Sequence, residues 1–600
     1  MLNFSMLYPV TNALRTTLCL DGMWRFQFDP AAVGVADGWQ NGLPDAMGMP
    51  VPSSFADLFT THHERDYCGD FWYETSFTVP AAWQGEVDVR FGSITHRATV
   101  YCNGVEVTSH KGGFLPVVAR VTTLVKPGAN RLVVKVNNEL DETMLPCGIT
   151  RTMKDGRKLY KPYFDFFNYS GIQRSVYLVN TPAESVQDYS VVTALNGADA
   201  TVSYTVRTNG QSPVRVRLLD ATGCEVACAQ GKEGVLHVAN AHLWRVRNAY
   251  LYTMVIEIMN GEAVADEYAE RIGLRTVEIR GAEILINGER VYLKGYGKHE
   301  DFDVLGRSFN WAVAKRDFEC MKWTNANCFR TSHYPYAEEW YRLADAEGFL
   351  IIDEVPAVGM MRSTHNFVEA GQEKYTYFFE TPTVPELKAN HLLQVEEMIA
   401  RDKNHPSVFA WSMFNEPETT STFAKEYFTA IFDFARTLDP QNRPLTGALE
   451  KNSSPEKCQC YQLCDFICLN RYYGWYISGG SEIDEAEEKF RSEMDRWAAK
   501  GLNVPFVFTE FGTDTLATEH KLPSVMWTQE YQNEYLAMNF SVFDSYSFVQ
   551  GELVWNFADF QTSEGIMRVN GNKKGIFTRQ RQPKDAAFTF KTRWESTPKT

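Results

Sequence analysis

The sequence predicts a multidomain chain: an N-terminal jelly-roll-like β-sandwich over residues 1–182, an Ig-like β-sandwich over 183–276 and a C-terminal (β/α)8 TIM barrel over 277–600. Three observations lead there. Short alternating runs separated by Gly, Pro and Asn turns fill the first part, a second such set follows, and beyond Ala282 buried strands alternate with amphipathic helical stretches. A chain of 600 residues also exceeds what one hydrophobic core can organise.

The first sandwich rests on MWRFQFD, DFWYETSFTV, EVDVRFG, ATVYCNGVEV, NRLVVKVNNE and RSVYLVN between Thr17 and Pro182. The second rests on SVVTALNG, TVSYTVRTNG, PVRVRLLDATG and YTMVIEIMNG. In the barrel region eight strands are expected at VYLKGYG, NCFRTSH, LIIDEV, SVFAWSMFNE, PLTGAL, FICLNRYY, FVFTEFG and LVWNFADF. Helical stretches such as HLLQVEEMIARDK and DEAEEKFRSEMDRWAAKG lie between them, which is the alternation of a parallel barrel.

Composition narrows the function. Apolar residues at 44% and charged residues at 22% are ordinary for a soluble globular protein. The 59 Lys and Arg against 75 Asp and Glu give −16, a balance that works against phosphate backbones and anionic lipid, so neither nucleic acid nor membrane is an expected partner. The start MLNFSMLYPVTNALRTTLCL has no cationic segment followed by an uninterrupted apolar one, which predicts a cytoplasmic protein or one whose export signal was removed. The 12 cysteines are scattered in apolar runs, as free thiols in a reducing compartment are. Cys458, Cys460, Cys464 and Cys468 form the one cluster, but the spacing lacks the paired C-x2-C knuckles of structural zinc. The reading calls for no metal and no cofactor.

Nearly all expected barrel strands end in polar or aromatic residues: His299, Glu300 and Asp301; Arg330, Ser332 and His333; Asp353 and Glu354; Asn415 and Glu416; Asn470, Tyr472 and Tyr473; Glu510; Trp555, Asn556 and Asp559. The C-terminal mouth of a parallel barrel holds its active site, so these side chains are expected to converge there. Glu416 and Glu510 stand out. Two carboxylates facing each other across a bond are the machinery of glycoside hydrolysis.

Taken together, YFDFFNYSGIQRSVYL, INGERVYLKGYGKHEDFDVLGRSF, NCFRTSHYPY, ARDKNHPSVFAWSMFNEPE, FICLNRYYGWY, FVFTEFGTDT and VWNFADFQTSEGIMRVNGNKKGIFTR resemble the glycoside hydrolase family 2 enzymes, in particular the β-glucuronidases among them. The resemblance covers the whole chain. It implies that Glu416 is the general acid/base and Glu510 the nucleophile of a retaining reaction, whose carboxyl groups stand about 5 to 5.5 Å apart. It places Asn415 at the sugar 2-hydroxyl.

A glucuronide differs from a glucoside by a C6 carboxylate that needs cationic or amide donors once it leaves water. Asn572 and Lys574 carry both kinds of donor, and the resemblance implies that they hold that carboxylate with help from Tyr476. Arg568, Lys573 and Lys574 lie close together in sequence and are expected to make the pocket locally positive. On composition alone Asn-Gly-Asn-Lys-Lys-Gly reads as an exposed turn. His333 and Asp165, the latter reaching in from the first sandwich, match family positions that contact sugar hydroxyls. Tyr472, Arg568 and Trp555 complete the expected pocket, with Trp555 offering its face to the sugar ring.

The stretch from Ala357 to Leu387, rich in Met, Phe and Tyr, is expected to be a long loop, which the resemblance implies lines the pocket entrance, or a surface loop packed on its own aromatics. The family's habit implies a homo-oligomer, with a tetramer favoured, and small-molecule glucuronide conjugates as the ligands. A β-galacturonidase, a β-galactosidase and a non-catalytic carbohydrate-binding protein on the same fold remain the rival readings.

Overall fold

The structure, a computed structural model, describes residues 4–361 and 378–596. The first sandwich packs a four-stranded sheet (Thr16–Cys19, Val176–Thr181, Glu86–Phe91, Val117–Arg120) against a six-stranded one (Met47–Val51, Gly22–Asp29, Asp70–Val79, Gly128–Asn137, Arg97–Cys102, Val105–Lys111). Successive side chains of a strand face opposite ways. In Asp70–Val79, Phe71 and Tyr73 enter the core between the sheets with Phe26, Val89, Val100 and Val134. Trp72 points to the other face, where it stacks on Tyr101 at 6.0 Å and packs with Trp39. Both faces of that strand are covered, which is why its sequence is aromatic without a polar alternation.

The second sandwich packs a three-stranded sheet (Val186–Asn196, Asp199–Thr208, Glu233–Val238) against a four-stranded one (Glu225–Gln230, Val214–Leu219, Tyr252–Asn260, Ala263–Ile272). Here the alternation is strict: Ala200, Val202, Tyr204 and Val206 are buried, whereas Ser203, Thr205 and Arg207 are exposed. The start of the chain crosses to this sandwich before it enters the first one. Leu7 and Val10 lie on its core, and Arg15 holds Asp266 with two hydrogen bonds of 2.8 and 2.6 Å.

The barrel strands are β1 (Leu293–Lys298), β2 (Cys328–Thr331), β3 (Leu350–Glu354), β4 (Val408–Asn415), β5 (Leu445–Leu449), β6 (Ile467–Asn470), β7 (Phe506–Glu510) and β8 (Val549–Val554), closed in that order and all parallel. Leu293, Ile352, Phe409, Val507 and Leu553 share one apolar cluster with Ile284 and Ile286 of the antiparallel strands that precede the barrel. That cluster makes the lower barrel a packed core and leaves function to the C-terminal mouth.

Two details depart from the sequence reading. β8 starts at Val549 and ends at Val554, so Trp555–Phe560 lies beyond the strand. Gln550 and Glu552 hid it, because both are buried polar residues; Glu552 accepts from Tyr292, Arg593 and Trp594. Between β5 and β6 there is only a single 3-10 turn, Tyr461–Leu463, where a helix was expected. Cys458, Cys460 and Cys464 are buried in that connection and Cys468 sits on β6, all with free thiols. Among the described residues no helix is long and apolar enough to cross a membrane.

The first sandwich is fastened to the barrel by buried ion pairs, among them Arg174–Glu300 at 3.0 Å and Arg90–Glu338 at 2.8 Å. His110 adds a titratable one, its Nε2 lying 3.1 and 3.2 Å from the carboxylate oxygens of Glu397 on the helix Val384–Asp402. Burial alone would push this imidazole down, but the Glu397 charge together with the hydrogen bonds to Glu397 and to the Gly112 backbone outweighs it and raises the pKa from 6.5. A raised folded-state pKa means that the stabilisation is complete below about 6.5 and is lost as pH rises through the folded value. The melting temperature should therefore fall between pH 6 and pH 8, and less so in His110→Gln. An unchanged slope in the variant would remove His110 from the account.

Candidate active site

β4 ends in Phe414-Asn415-Glu416, and Glu416 takes a φ of +50°. A non-glycine residue in the left-handed region costs about 1 to 3 kcal/mol and persists only where its surroundings enforce it. Here the Asn415 amide donates to Ala357 O and the Glu416 amide to Ala448 O of β5, both at 2.9 Å. The Glu416 side chain accepts from Asn470 Nδ2 at 2.8 Å, and the same Nδ2 lies 3.1 Å from Asn415 Oδ1. Asn415 Oδ1 also accepts from Arg330 at 3.2 Å, which fixes the amide with its NH2 end away from those partners. Burial, and then the nearby Glu510 charge, push the Glu416 carboxyl well above the usual carboxylate range.

Glu510 ends β7, paired in the ladder with Asn470 of β6. It accepts from the Arg330 guanidinium at 2.5 Å and from the Tyr472 hydroxyl at 2.7 Å. Arg330 is wholly buried and is itself anchored by Glu354, at 3.0 and 2.8 Å. Glu354 also holds His333 Nδ1 at 2.8 Å, leaving Nε2 3.8 Å from Glu510. His333 stacks on Trp555 with ring centroids 4.9 Å apart, so one face of the indole is already taken by protein. The two glutamates thus stand in different surroundings: Glu510 is buried with a cation and a hydroxyl donor, and Glu416 is half-buried beside an amide.

On the other side of Glu510 lies a charged cluster. Lys574 Nζ is hydrogen-bonded to Asp514 and lies 3.0 Å from the Tyr476 hydroxyl, over the rings of Tyr476, Trp475 and Tyr472 at 4.9, 5.4 and 5.9 Å. Arg568 reaches Asp514 at 3.1 Å, Tyr476 at 3.1 Å, and Asp165 through two bonds of 3.0 and 2.5 Å. Asn572 Nδ2 donates to Asp165 at 3.1 Å. The segment Gly571–Gly575 is no exposed turn: Asn572 and Lys574 are each 1% exposed. Its glycines make that possible, since a Cβ on Gly575 would sit 2.1 Å from the Asp559 nitrogen and one on Gly571 2.4 Å from Phe560 O. Lys584 fastens the segment from behind, bonded to Lys573 O, Thr515 O and Asp559.

The expected site residues Asp165, His333, Asn415, Glu416, Tyr472, Tyr476, Glu510, Trp555, Arg568, Asn572 and Lys574 are joined by these contacts at one mouth of the barrel. Several other strand-end residues are not. Tyr473 turns outward to Glu493, Glu300 braces Arg174 and the Ala337 amide, Asp301 takes Arg579, and Asp353 is bonded to Tyr341 beneath the site. Four residues that the contacts bring in had no role assigned from sequence. Arg330, Glu354 and Asn470 were visible only as polar strand ends, and Asp514 not even as that. Of the three cations expected to make the pocket positive, Arg568 and Lys574 are matched in the free protein by Asp165 and Asp514. Residues 362–377 of the expected Ala357–Leu387 loop fall outside the described residues; Met360, Phe378 and Phe379, close to either side of them, are buried.

Comparison with known proteins agrees with this geometry. Residues 277–598 match the TIM barrel domain of glycosyl hydrolases family 2, residues 18–182 its sugar binding domain, and residues 177–275 a further family 2 domain. A β-glucuronidase of Paenibacillus borealis is 44% identical over 599 residues, covering 98% of each chain. The solved Ruminococcus gnavus β-glucuronidase is 69% identical, with a TM-score of 0.99 and 100% of both chains covered. Its complex with uronic isofagomine is 68% identical, with a TM-score of 0.98 over 99% of this chain and 100% of that one. Matched along its whole length in sequence, in fold and in the order of its domains, the chain belongs to glycoside hydrolase family 2.

Proposed function

We propose that this family 2 enzyme is a retaining β-glucuronidase that converts β-D-glucuronides to glucuronic acid and the free aglycone. The observation that carries the reaction type is the unequal environment of Glu416 and Glu510. A carboxyl pushed well above the usual carboxylate range by burial and a neighbouring charge holds its proton to higher pH than an exposed one, and can give it away. A carboxylate flanked by Arg330 and Tyr472 is oriented as an anion by charge-assisted bonds.

The steps follow from those roles. Glu510 attacks C1 as Glu416 protonates the glycosidic oxygen; the C1–O bond to the aglycone breaks and an ester to Glu510 forms. Glu416, now a carboxylate, takes a proton from water, whose oxygen attacks C1 from the face the aglycone left. The ester breaks, Glu510 is restored, and the two inversions leave a β product. Asn415, its carbonyl held by Arg330 and Asn470, presents NH2 donors for the sugar 2-hydroxyl. The charged end of the pocket, Lys574 with Asn572 and Tyr476, supports an acidic sugar, and the relatives named β-glucuronidase support the gluco configuration.

Release of a chromophore from aryl β-glucuronide, galacturonide, glucoside and galactoside tests the substrate. The glucuronide should lead, and a faster galactoside would overturn the assignment. NMR of the first-formed sugar tests the mechanism: the β anomer should precede mutarotation, whereas α first would mean direct attack by water. The pH profile adds a third expectation. Activity needs Glu416 protonated, so kcat/KM should fall as pH rises through a pKa well above 4.5. For an aryl glucuronide whose phenol leaves without a proton that basic limb should flatten; an unaltered limb would assign it to another group.

A further inference from the structure

We infer that Asp514 is a specificity-determining residue whose carboxylate stands in for the sugar's own, narrowing the preference for glucuronides over neutral glycosides. The inference rests on the β-glucuronidase reading and goes beyond it. Asp514 lies four residues past Glu510 and is 0% exposed. One oxygen accepts from the Lys573 amide at 2.7 Å, and the other meets both the Lys574 ammonium and Arg568. It therefore already takes, within the protein, the Lys574 ammonium that a uronate carboxylate would use.

Counting charge shows the consequence. Lys574 and Arg568 bring two positive charges to this end of the pocket, and Asp514 and Asp165 bring two negative ones. Without substrate these four paired groups sum to zero. A neutral sugar then leaves no cation unpaired, because Lys574 keeps Asp514 and Tyr476 as partners. A uronate makes the cluster net negative and must lie near a buried like charge, which costs affinity. An ammonium has three donors, and those two partners leave one for the substrate among the described residues.

Selectivity is a difference of two affinities, so a group that lowers the cost of the wrong ligand and raises that of the right one reduces it. Removing the Asp514 charge reverses both effects. The free cluster then carries an excess positive charge that only an anionic sugar neutralises.

The test is Asp514→Asn, with Asp514→Ser as a second neutral variant, assayed with aryl β-glucuronide and aryl β-glucoside. The ratio of their kcat/KM values should rise over wild type, on the order of tenfold or more, as removal of a like charge from a binding site predicts. A folding defect lowers both substrates and leaves the ratio alone. Competitive inhibition by D-glucuronate against D-glucose gives the same comparison at equilibrium and should move the same way. A ratio that stays constant or falls in both variants overturns the inference. Wild-type enzyme without glucuronide activity would instead overturn the reading beneath it.

Discussion

Glu510→Gln should lose turnover by a factor on the order of 10⁴ or more while keeping its fold, because removing the nucleophile of a cooperating pair stops the reaction at its first bond. The fold is expected to survive. Arg330, which loses its Glu510 partner, retains Glu354 at 2.8 Å and so is not left as a buried unpaired cation. Glu416→Gln should be similarly damaging for substrates with poor leaving groups, and the double variant little worse than either single one. Retention of more than about a tenth of wild-type kcat by Glu510→Gln, far less than the ~10²-fold loss or more expected when such chemistry is removed, would mean the nucleophile is misassigned. Azide distinguishes the two roles. With Glu510→Ala and an activated aryl glucuronide, azide can occupy the vacated place of the carboxylate and displace the phenolate from below, giving an α-glucuronyl azide. With Glu416→Ala the ester to Glu510 still forms, and azide, which needs no general base, displaces Glu510 from the opposite face to give the β-azide. The same anomer from both variants would contradict a division of labour between these residues.

How much of this was legible follows from how local the signals are. Glu416 and Glu510 could be read because each ends an apolar run long enough to be a buried strand, and a barrel displays strand ends at one mouth. The positive φ of Glu416 could not, since it is imposed by β5 and by the Ala357 carbonyl. Asp514 was invisible for a related reason. Its cations lie 54 and 60 residues away in sequence, and no local pattern marks an aspartate in a Gly-Thr-Asp-Thr segment as the counter-ion of a distant lysine. β8 was misplaced because strand signals assume that polar residues are exposed. Glu552 is 0% exposed and satisfied by partners from Tyr292 and the C-terminal helix, so the alternation that the rule seeks is absent. Asn572 and Lys574 were the reverse case: Gly-rich and polar, they looked like a surface turn, yet those glycines let the backbone pack against Asp559 and Phe560.

Lys574→Ala should cost about 3 to 5 kcal/mol in glucuronide kcat/KM, the cost of removing one side of a buried ion pair. A substrate carboxylate would then face Asp514 with no ammonium between them. Because Lys574 also neutralises Asp514 in the free protein, the substitution should lower stability as well, a consequence that a simple substrate-binding lysine would not have. Thermal unfolding separates the two losses. Lys574→Ala/Asp514→Asn removes the cation and the buried anion together, so it should regain much of the stability lost by Lys574→Ala alone, as pairs replaced on both sides do. It should not regain glucuronide activity to the wild-type level, since the donor is still missing. A glucoside has no carboxylate to pair and should lose much less than the glucuronide in Lys574→Ala. Equal losses for the two substrates would show that Lys574 serves the fold alone, and the assignment of an acidic sugar would then lose its physical basis.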